Sequence, residues 1–196
     1  MQINRDKLYK VNNYSYQNFS TLSNDEIKLV WDWRNHENTR KWMITNGIIP
    51  FDSHYKFVKN LESRDDLYYW LFFKDDLPVG VLSVVKVDFE NEEGEPGYYL
   101  APSLKDLGMG LEMQYSYKKF FFEELGFQSL FGHILYGNTN AYQMSKFFGA
   151  ILDGEEIIDG RKYVKMHTPR SEFEKINNEK LTNQFVKFIK QNPIKW

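Results

Sequence analysis

Cysteine is absent from this chain of 196 residues. Its absence excludes disulfide bonds, thiolate-bound zinc and cysteine nucleophiles. Long apolar runs are also missing, because runs such as Tyr68 to Phe73 are far shorter than the roughly 20 residues that a membrane-spanning helix needs. The N-terminal residues contain no apolar stretch typical of a secretion signal. We therefore expect a cytoplasmic protein without a membrane partner.

A surplus of positive charge is missing as well. The chain has 25 Lys and Arg against 27 Asp and Glu, a formal net charge of −2. Proteins that bind nucleic acids usually carry a basic excess that neutralises phosphates, so no nucleic-acid partner is expected. The histidines, at positions 36, 54, 133 and 167, lack the spacing of metal ligands, and no Gly-x-Ser-x-Gly motif is present. We predict no metal site.

The composition is that of an ordinary globular protein, with 42% hydrophobic and 27% charged residues. This balance excludes a disordered or fibrous chain, and the length corresponds to about one domain. No linker or internal repeat divides the sequence. We predict one domain over residues 1–168, followed by a C-terminal helical extension over residues 169–196.

Hydrophobic periodicity predicts an order of strands and helices. A short strand, Lys7 to Val11, precedes a helix that begins at the N-cap Ser23, with Glu26 completing a capping box. A second helix begins at Asp52 and buries Phe57, Val58 and Leu61. Further strands are predicted at 68–73, 78–89, 97–102 and 128–135, further helices at 108–125 and 139–148, a hairpin at 150–167, and a last helix with Leu181, Phe185 and Phe188 on one face. Residues 90–95 are interpreted as an exposed loop.

A glycine-rich turn, LKDLGMG at residues 104–110, separates a predicted strand from a predicted helix. Free N–H groups at a helix start favour a pyrophosphate, and glycine lets the backbone approach it closely. Position 113 is Met, where a dinucleotide-binding motif requires Gly, and the Gly-Lys-Ser/Thr of a P-loop is absent. The turn is either an anion site or a helix that simply begins with flexible residues.

The segment from Gly97 to Ala150 resembles the core of the GCN5-related N-acetyltransferase (GNAT) superfamily. That family binds the acyl-CoA pyrophosphate with a Q/R-x-x-G-x-G/A loop, and residues 105–110 follow this pattern with Lys105 in first place. Asn138, Asn140 and Gly149 match a second family motif, although Ala150 stands where Phe is commoner. The resemblance implies an α/β (α+β) fold, with a mixed, mostly antiparallel sheet of about seven strands flanked by helices.

The same resemblance implies an acyl-CoA-dependent N-acyltransferase, with acetyl-CoA as the expected co-substrate. Backbone N–H groups of Leu100 and Ala101 are expected to polarise the thioester carbonyl. The complete set of implied acyl-CoA contacts is Leu100, Ala101, Lys105, Asp106, Leu107, Gly108, Met109, Gly110, Asn138 and Asn140.

A narrower resemblance covers residues 33–43, WRNHENTRKWM, and the helix that follows. These segments are similar to acetyltransferases of nucleotide-linked amino sugars, of the type found in the pseudaminic-acid pathway. The resemblance implies acceptor contacts from Arg40, Trp42, Met43, His54 and Tyr98. Arginine binds a diphosphate bidentately, and aromatic rings stack on bases or sugars. Alternatively, His54 is a core histidine and Arg40, like Arg34, forms surface ion pairs with Asp32 or Glu37.

The sequence departs from the family at the proton donor for the leaving thiolate. Most members have a tyrosine four residues before the glycine that ends the short helix, whereas this chain has Ser145. Three alternatives are open: Ser145 hydrogen-bonds the sulfur directly or through water, Tyr142 donates the proton instead, or no protein group donates it. For the base, His133 is a candidate, and a packing role in the core is the alternative.

Together these features imply transfer of an acetyl or slightly longer acyl group to the amine of a UDP- or dTDP-linked amino-deoxy sugar in surface-polysaccharide synthesis. A protein N-terminal or ribosomal-protein acetyltransferase is an alternative, which an acidic groove would favour. A CoA-binding module without catalysis is another, in keeping with the missing tyrosine. The last helix is expected to pack on the domain's own surface, and a homodimer would form elsewhere.

Overall fold

An eight-stranded sheet organises the computed structural model, which describes residues 1, 3–104 and 107–194. The spatial order is β1-β2-β3-β4-β5-β6-β8-β7, and neighbouring strands are antiparallel except for the parallel pair β5 and β6. The strands are β1 Tyr9–Val11, β2 Tyr14–Asn18, β3 Leu67–Lys74, β4 Leu77–Asp88, β5 Glu93–Leu100, β6 Ser129–Leu135, β7 Ile151–Ile158 and β8 Arg161–Pro169. The predicted mixed, mostly antiparallel α/β fold is confirmed.

The helices follow the local signals in the sequence. They are α1 Asn24–Asn35, α2 Glu37–Arg40, α3 Phe51–Asn60, α4 Leu107–Lys119, α5 Thr139–Phe147, α6 Arg170–Phe173 and α7 Leu181–Gln191. The predicted capping box is present, because the Glu26 N–H donates to the Ser23 hydroxyl and the Glu26 carboxylate accepts from the Ser23 N–H. Helix α4 continues into one π-helical segment, residues 120–125, which ends at Gly126 with a φ of 86°.

Both faces of the sheet are covered by helices. Because side chains alternate along a strand, Trp70 and Phe72 of β3 pack toward α4, whereas Leu71 between them packs toward α1 and α3. The larger cluster contains the rings of Phe120, Phe121 and Phe122, all fully buried. Much of the high aromatic content therefore serves as core.

The apolar face of α7 lies on α4 and α5. Its residue Phe185 is buried, and the rings of Phe185 and Phe188 lie 5.3 and 5.6 Å from the ring of Phe147. Phe173 of α6 is buried in the same cluster. The last helix thus covers the chain's own surface, while the division at residues 168 and 169 stays a prediction.

Three local expectations were wrong. Strand β2 was missed, because YSYQN is short and polar, and it raises the strand count from about seven to eight. Glu93 to Glu95 belong to β5 and not to a loop, since Glu95 pairs with Val85 of β4. Phe57 is not in the core: it is 37% exposed and its ring packs edge-on against Tyr69.

Candidate active site

A gap between β5 and β6 forms the centre of the candidate site. In the described part of the chain these parallel strands pair only where Glu93 meets Ser129 and Gly94 meets Leu130. Beyond these pairs they separate and open into a cavity of about 1240 Å³ that both strands line. The cavity extends from the α5 side of the sheet to the α1 and α3 side. It therefore offers one entry for a donor and another for an acceptor.

Two backbone N–H groups of β5 point into this gap. The Ala101 N–H donates to the Val79 carbonyl oxygen at 2.8 Å, so this amide is used by β4. Hydrogen-bonded and non-bonded pairs alternate in an antiparallel ladder, and the amides of Leu100 and Tyr98 therefore face away from β4, toward β6. The expectation that the Ala101 N–H polarises a thioester is wrong. The amides of Leu100 and Tyr98 are the ones that face the gap.

The pyrophosphate turn is described only in part. Lys105 and Asp106 lie outside the described residues, and Leu107 and Gly108 begin α4. Met109 packs against the main core, and a Cβ added at Gly110 would lie 4.0 Å from the Leu100 side chain. The helix start thus directly follows the strand that lines the gap.

Helix α5 presents some of its predicted residues to the cavity. Asn138 caps the helix, because its side-chain oxygen accepts from the Ala141 N–H at 3.3 Å. The residues Asn138, Asn140 and Ser145 all line the large cavity. Tyr142 does not: it packs with Ile134 and Ala150 and lines a separate cavity beneath α7. The expectation that Tyr142 replaces the missing tyrosine is therefore wrong.

On the opposite side, the predicted acceptor residues Trp42, Met43 and His54 come together in the cavity wall. Trp42 is 43% exposed, which leaves its ring free to stack. Arg161 of β8 fixes the loop that carries Trp42 and Met43, because its guanidinium donates to the carbonyl oxygens of Met43 at 2.8 Å and Lys41 at 3.2 Å. Sequence reasoning missed Arg161 because it is distant along the chain.

The arginine in this wall is Arg34, and Arg40 lies outside it. Arg40 donates to the Asn46 carbonyl oxygen at 3.2 Å. Arg34 donates through Nη2 to the Thr45 carbonyl oxygen at 2.6 Å, and its buried Nη1 has no partner among the described residues. Burial lowers the pKa of Arg34, which nonetheless stays charged. Of the two arginines, Arg34 and not Arg40 therefore lines the cavity with an unpaired N–H group, and neither arginine pairs with Asp32 or Glu37.

His54 is buried and partly satisfied. It hydrogen-bonds the Ile27 backbone, while its Nε2 has no partner among the described residues. Burial, followed by the charge of Arg34, lowers the pKa of His54. The neutral ring therefore keeps one unpaired nitrogen. His54 is buried, as the core alternative predicts, and it also lines the cavity, as the acceptor alternative predicts.

The neighbouring tyrosines of β5 point to opposite faces of the sheet. Tyr98 lies toward α4, where its hydroxyl accepts a hydrogen bond from Gln114 and its ring lies 5.2 Å from that of Tyr117. Tyr99 lies toward α1, and its hydroxyl donates to the Val30 carbonyl oxygen at 3.5 Å. The side chain on the acceptor face is therefore Tyr99, and the assignment of Tyr98 to the acceptor is wrong.

A chain of charged groups crosses the acceptor face of the gap. His133 Nδ1 lies 2.8 Å from Glu95 Oε1, and its Nε2 lies 3.0 Å from Glu156 Oε2. Lys86 forms an ion pair with Glu95 at 2.7 Å. Burial raises the pKa of Glu95, but hydrogen bonds from His133 and Lys86 outweigh it and leave the pKa below its usual value. His133 is thus part of a hydrogen-bonded network with Glu95 and Glu156, whose members the sequence does not place together.

Comparison with known proteins identifies the family. The sequence model of the acetyltransferase (GNAT) domain matches residues 15–150. The chain belongs to the GNAT family. It is 34% identical over 134 residues to acetyltransferase PseH of Campylobacter jejuni serotype O:2, a match that covers 67% of this chain and 82% of the relative. The predicted GNAT resemblance is confirmed, and the protein is an acetyl-CoA-dependent N-acetyltransferase.

Solved structures show the same fold. The C. jejuni N-acetyltransferase PseH in complex with acetyl coenzyme A aligns with a TM-score of 0.63 and 22% identity, covering 80% of this chain and 99% of that one. Spermidine N-acetyltransferase from Vibrio cholerae, in complex with CoA and spermine, aligns with a TM-score of 0.73 and 13% identity, covering 84% and 99%. No helix in the described ranges has the length and apolarity of a membrane span.

Proposed function

We propose that the protein transfers an acetyl group from acetyl-CoA to the amine of a UDP- or dTDP-linked amino-deoxy sugar used in surface-polysaccharide synthesis. The observation that carries the proposal is the acceptor wall of the cavity. It combines a buried guanidinium nitrogen of Arg34 that lacks a partner with the exposed ring of Trp42. The 34% identity to acetyltransferase PseH supports acetyl transfer, and the resemblance of residues 33–43 to acetyltransferases of nucleotide-linked amino sugars supports this acceptor class.

The chemistry of this wall suits an anionic, base-bearing acceptor. Arg34 can donate to a diphosphate, and Trp42 can stack on a nucleobase. The cavity of about 1240 Å³ exceeds the roughly 300–1,000 Å³ of most ligand sites, so it has room for a sugar beside the acyl end of the donor.

Transfer in this site is direct. The deprotonated amine attacks the thioester carbon, a C–N bond forms, and the C–S bond breaks. The amides of Leu100 and Tyr98 donate to the carbonyl oxygen. The network of Glu95, His133 and Glu156 receives the amine proton and leads it to solvent, because Glu156 is about half exposed.

A protein N-terminus as acceptor finds less support. The carboxylate of Glu95 is already paired with Lys86 and His133, and the acceptor wall adds the cations Arg34 and Lys41. A cationic peptide terminus would meet like charges there.

Arg34 and Arg40 provide a matched test of the acceptor. Both donate to a loop carbonyl, but only Arg34 lines the cavity. We expect Arg34→Gln to raise the KM for a nucleotide-linked amino sugar by about tenfold or more, because a charge-assisted contact of about 1.5–3 kcal/mol is lost. Arg40→Gln should leave the KM within about twofold. The same amino sugar without its nucleotide should be a poor acceptor for both variants. Equal effects of the two substitutions would contradict a diphosphate at Arg34.

A further inference from the structure

Lys118 of α4 is a buried lysine that sequence reasoning overlooked. Only 3% of the residue is exposed, and it forms no ion pair with any of the described residues. Lysine is almost never buried without a partner unless it has a function. Lys118 lines the same large cavity that holds the gap between β5 and β6.

Lys118 lies on the α4 side of the sheet, next to the residue of α4 that packs against Tyr98 of β5. The Lys118 Nζ lies 5.5 Å from the centroid of the Tyr117 ring, and Tyr117 in turn contacts the ring of Tyr98. The backbone N–H of Tyr98 points into the gap. Lys118 therefore stands on the α4 side of the segment expected to hold the thioester.

The surroundings leave the charge of Lys118 unbalanced. Burial lowers its pKa to about 7. The nearest titratable groups shown are Tyr117 beside it on α4 and Tyr98 of β5, which packs on Tyr117; burial raises the pKa of Tyr98 to about 12 and that of Tyr117 well above its usual value. The cavity wall also holds Leu130 and Thr168, which carry no charge, and the titratable groups Lys86, Glu95, His133 and Tyr163, of which Glu95 is already paired with Lys86 and His133. Both tyrosines are neutral near pH 7, so an anion inside the cavity is the counter-charge that Lys118 lacks.

We propose that Lys118 is the catalytic residue that protonates the sulfur of the departing CoA, in place of the tyrosine that Ser145 replaces. When the C–S bond breaks, its electron pair stays on sulfur. One N–H bond of the Lys118 ammonium breaks and an S–H bond forms, which leaves a neutral amine that regains a proton from solvent. A lysine of this acidity is a better donor than a serine hydroxyl. The proposal rests on acetyl-CoA-dependent transfer and is independent of the acceptor.

A pair of CoA thioethers tests the charge beside the sulfur without turnover. S-carboxymethyl-CoA and S-carbamoylmethyl-CoA have nearly the same shape, and only the first carries a carboxylate next to the sulfur. At about pH 6.5, where Lys118 is protonated, we expect calorimetry to show at least about tenfold tighter binding of the carboxymethyl compound. The preference should weaken as the pH rises above about 7.

Variants complete the test. Lys118→Met should abolish the preference, because the buried ammonium is gone, and should lower kcat by about 100-fold with little change in the KM for acetyl-CoA. Lys119→Met is the matched control, since Lys119 pairs with Glu123 on the exposed side of the helix, and it should keep both properties. Lys118→Arg should retain the preference, because the cation is kept, but not the rate, because arginine does not release its proton.

The outcomes separate the two proposals. A preference that persists in Lys118→Met, or that is missing from the unmodified protein, overturns the role of Lys118. Failure of the unmodified protein to bind either thioether overturns both acetyl-CoA binding in the gap and this inference. An unsuitable sugar acceptor leaves these binding results unaffected.

Discussion

Replacing Lys118 by methionine should make the protein more stable at neutral pH. In the folded chain, burial lowers the lysine pKa from 10.5 to about 7. The unfolded chain therefore binds a proton more readily than the folded chain between these two pH values. Folding is penalised most at low pH, and the penalty falls as the pH rises through this range.

The size of the effect follows from the two pKa values. A difference of about 3.5 units corresponds to a penalty of about 4 kcal/mol at pH 7, at 1.36 kcal/mol for each unit. At pH 9 the penalty is about 2 kcal/mol, because the unfolded lysine is still protonated while the folded one is neutral. Lys118→Met should thus raise the free energy of unfolding by about 2 kcal/mol more at pH 7 than at pH 9. Any gain from apolar packing adds to this at both pH values.

Urea unfolding at both pH values measures this difference, with tryptophan fluorescence as the signal, since Trp70 is fully buried. Subtracting the unmodified protein from the variant cancels every other group that titrates in the range. Lys119→Met should give no pH-dependent difference, because its side chain is partly exposed and paired. If Lys118→Met raises the free energy of unfolding by the same amount at pH 7 and at pH 9, the reasoning is refuted. A stability cost of this size at one lysine is itself typical of a functional site.

Three further substitutions or deletions test other parts of the site. Glu95→Gln should lower kcat by about 100-fold without changing the KM for acetyl-CoA, because the proton acceptor beside His133 is lost; an unaltered kcat would exclude the network. Gly108→Val should weaken acetyl-CoA binding by more than about tenfold in calorimetry, since a side chain blocks close approach to the pyrophosphate, and unchanged affinity would place the pyrophosphate elsewhere. Deleting residues 170–196 should cause aggregation visible by light scattering, because Phe147 loses its cover, whereas a soluble, active truncation would contradict this packing.

Local signals were enough to predict most elements. The capping box of Ser23 and the end of the α4 segment at Gly126 both depend on residues close in sequence. Strand β2 escaped because it has only five residues and no aliphatic side chain, so the alternation of Tyr14 and Tyr16 is too short to stand out.

The site residues that were misassigned depend on contacts between distant segments. Arg34 and Arg40 are six positions apart, and only the turn after α1 decides which one enters the cavity. Tyr98 and Tyr99 alternate along β5, but which face holds the acceptor depends on the helices that cover each side. Lys118 looks like an ordinary cation near a helix C-terminus, so its burial under the sheet leaves no local signature.

The acceptor class is tested most directly by thiol release from acetyl-CoA, followed with a thiol-reactive dye across a panel of amines. The protein contains no cysteine and adds no background. We predict turnover with a UDP- or dTDP-linked amino-deoxy sugar, and none with peptides that have free N-termini. Turnover with the peptides but not with the nucleotide sugars would contradict the proposed function.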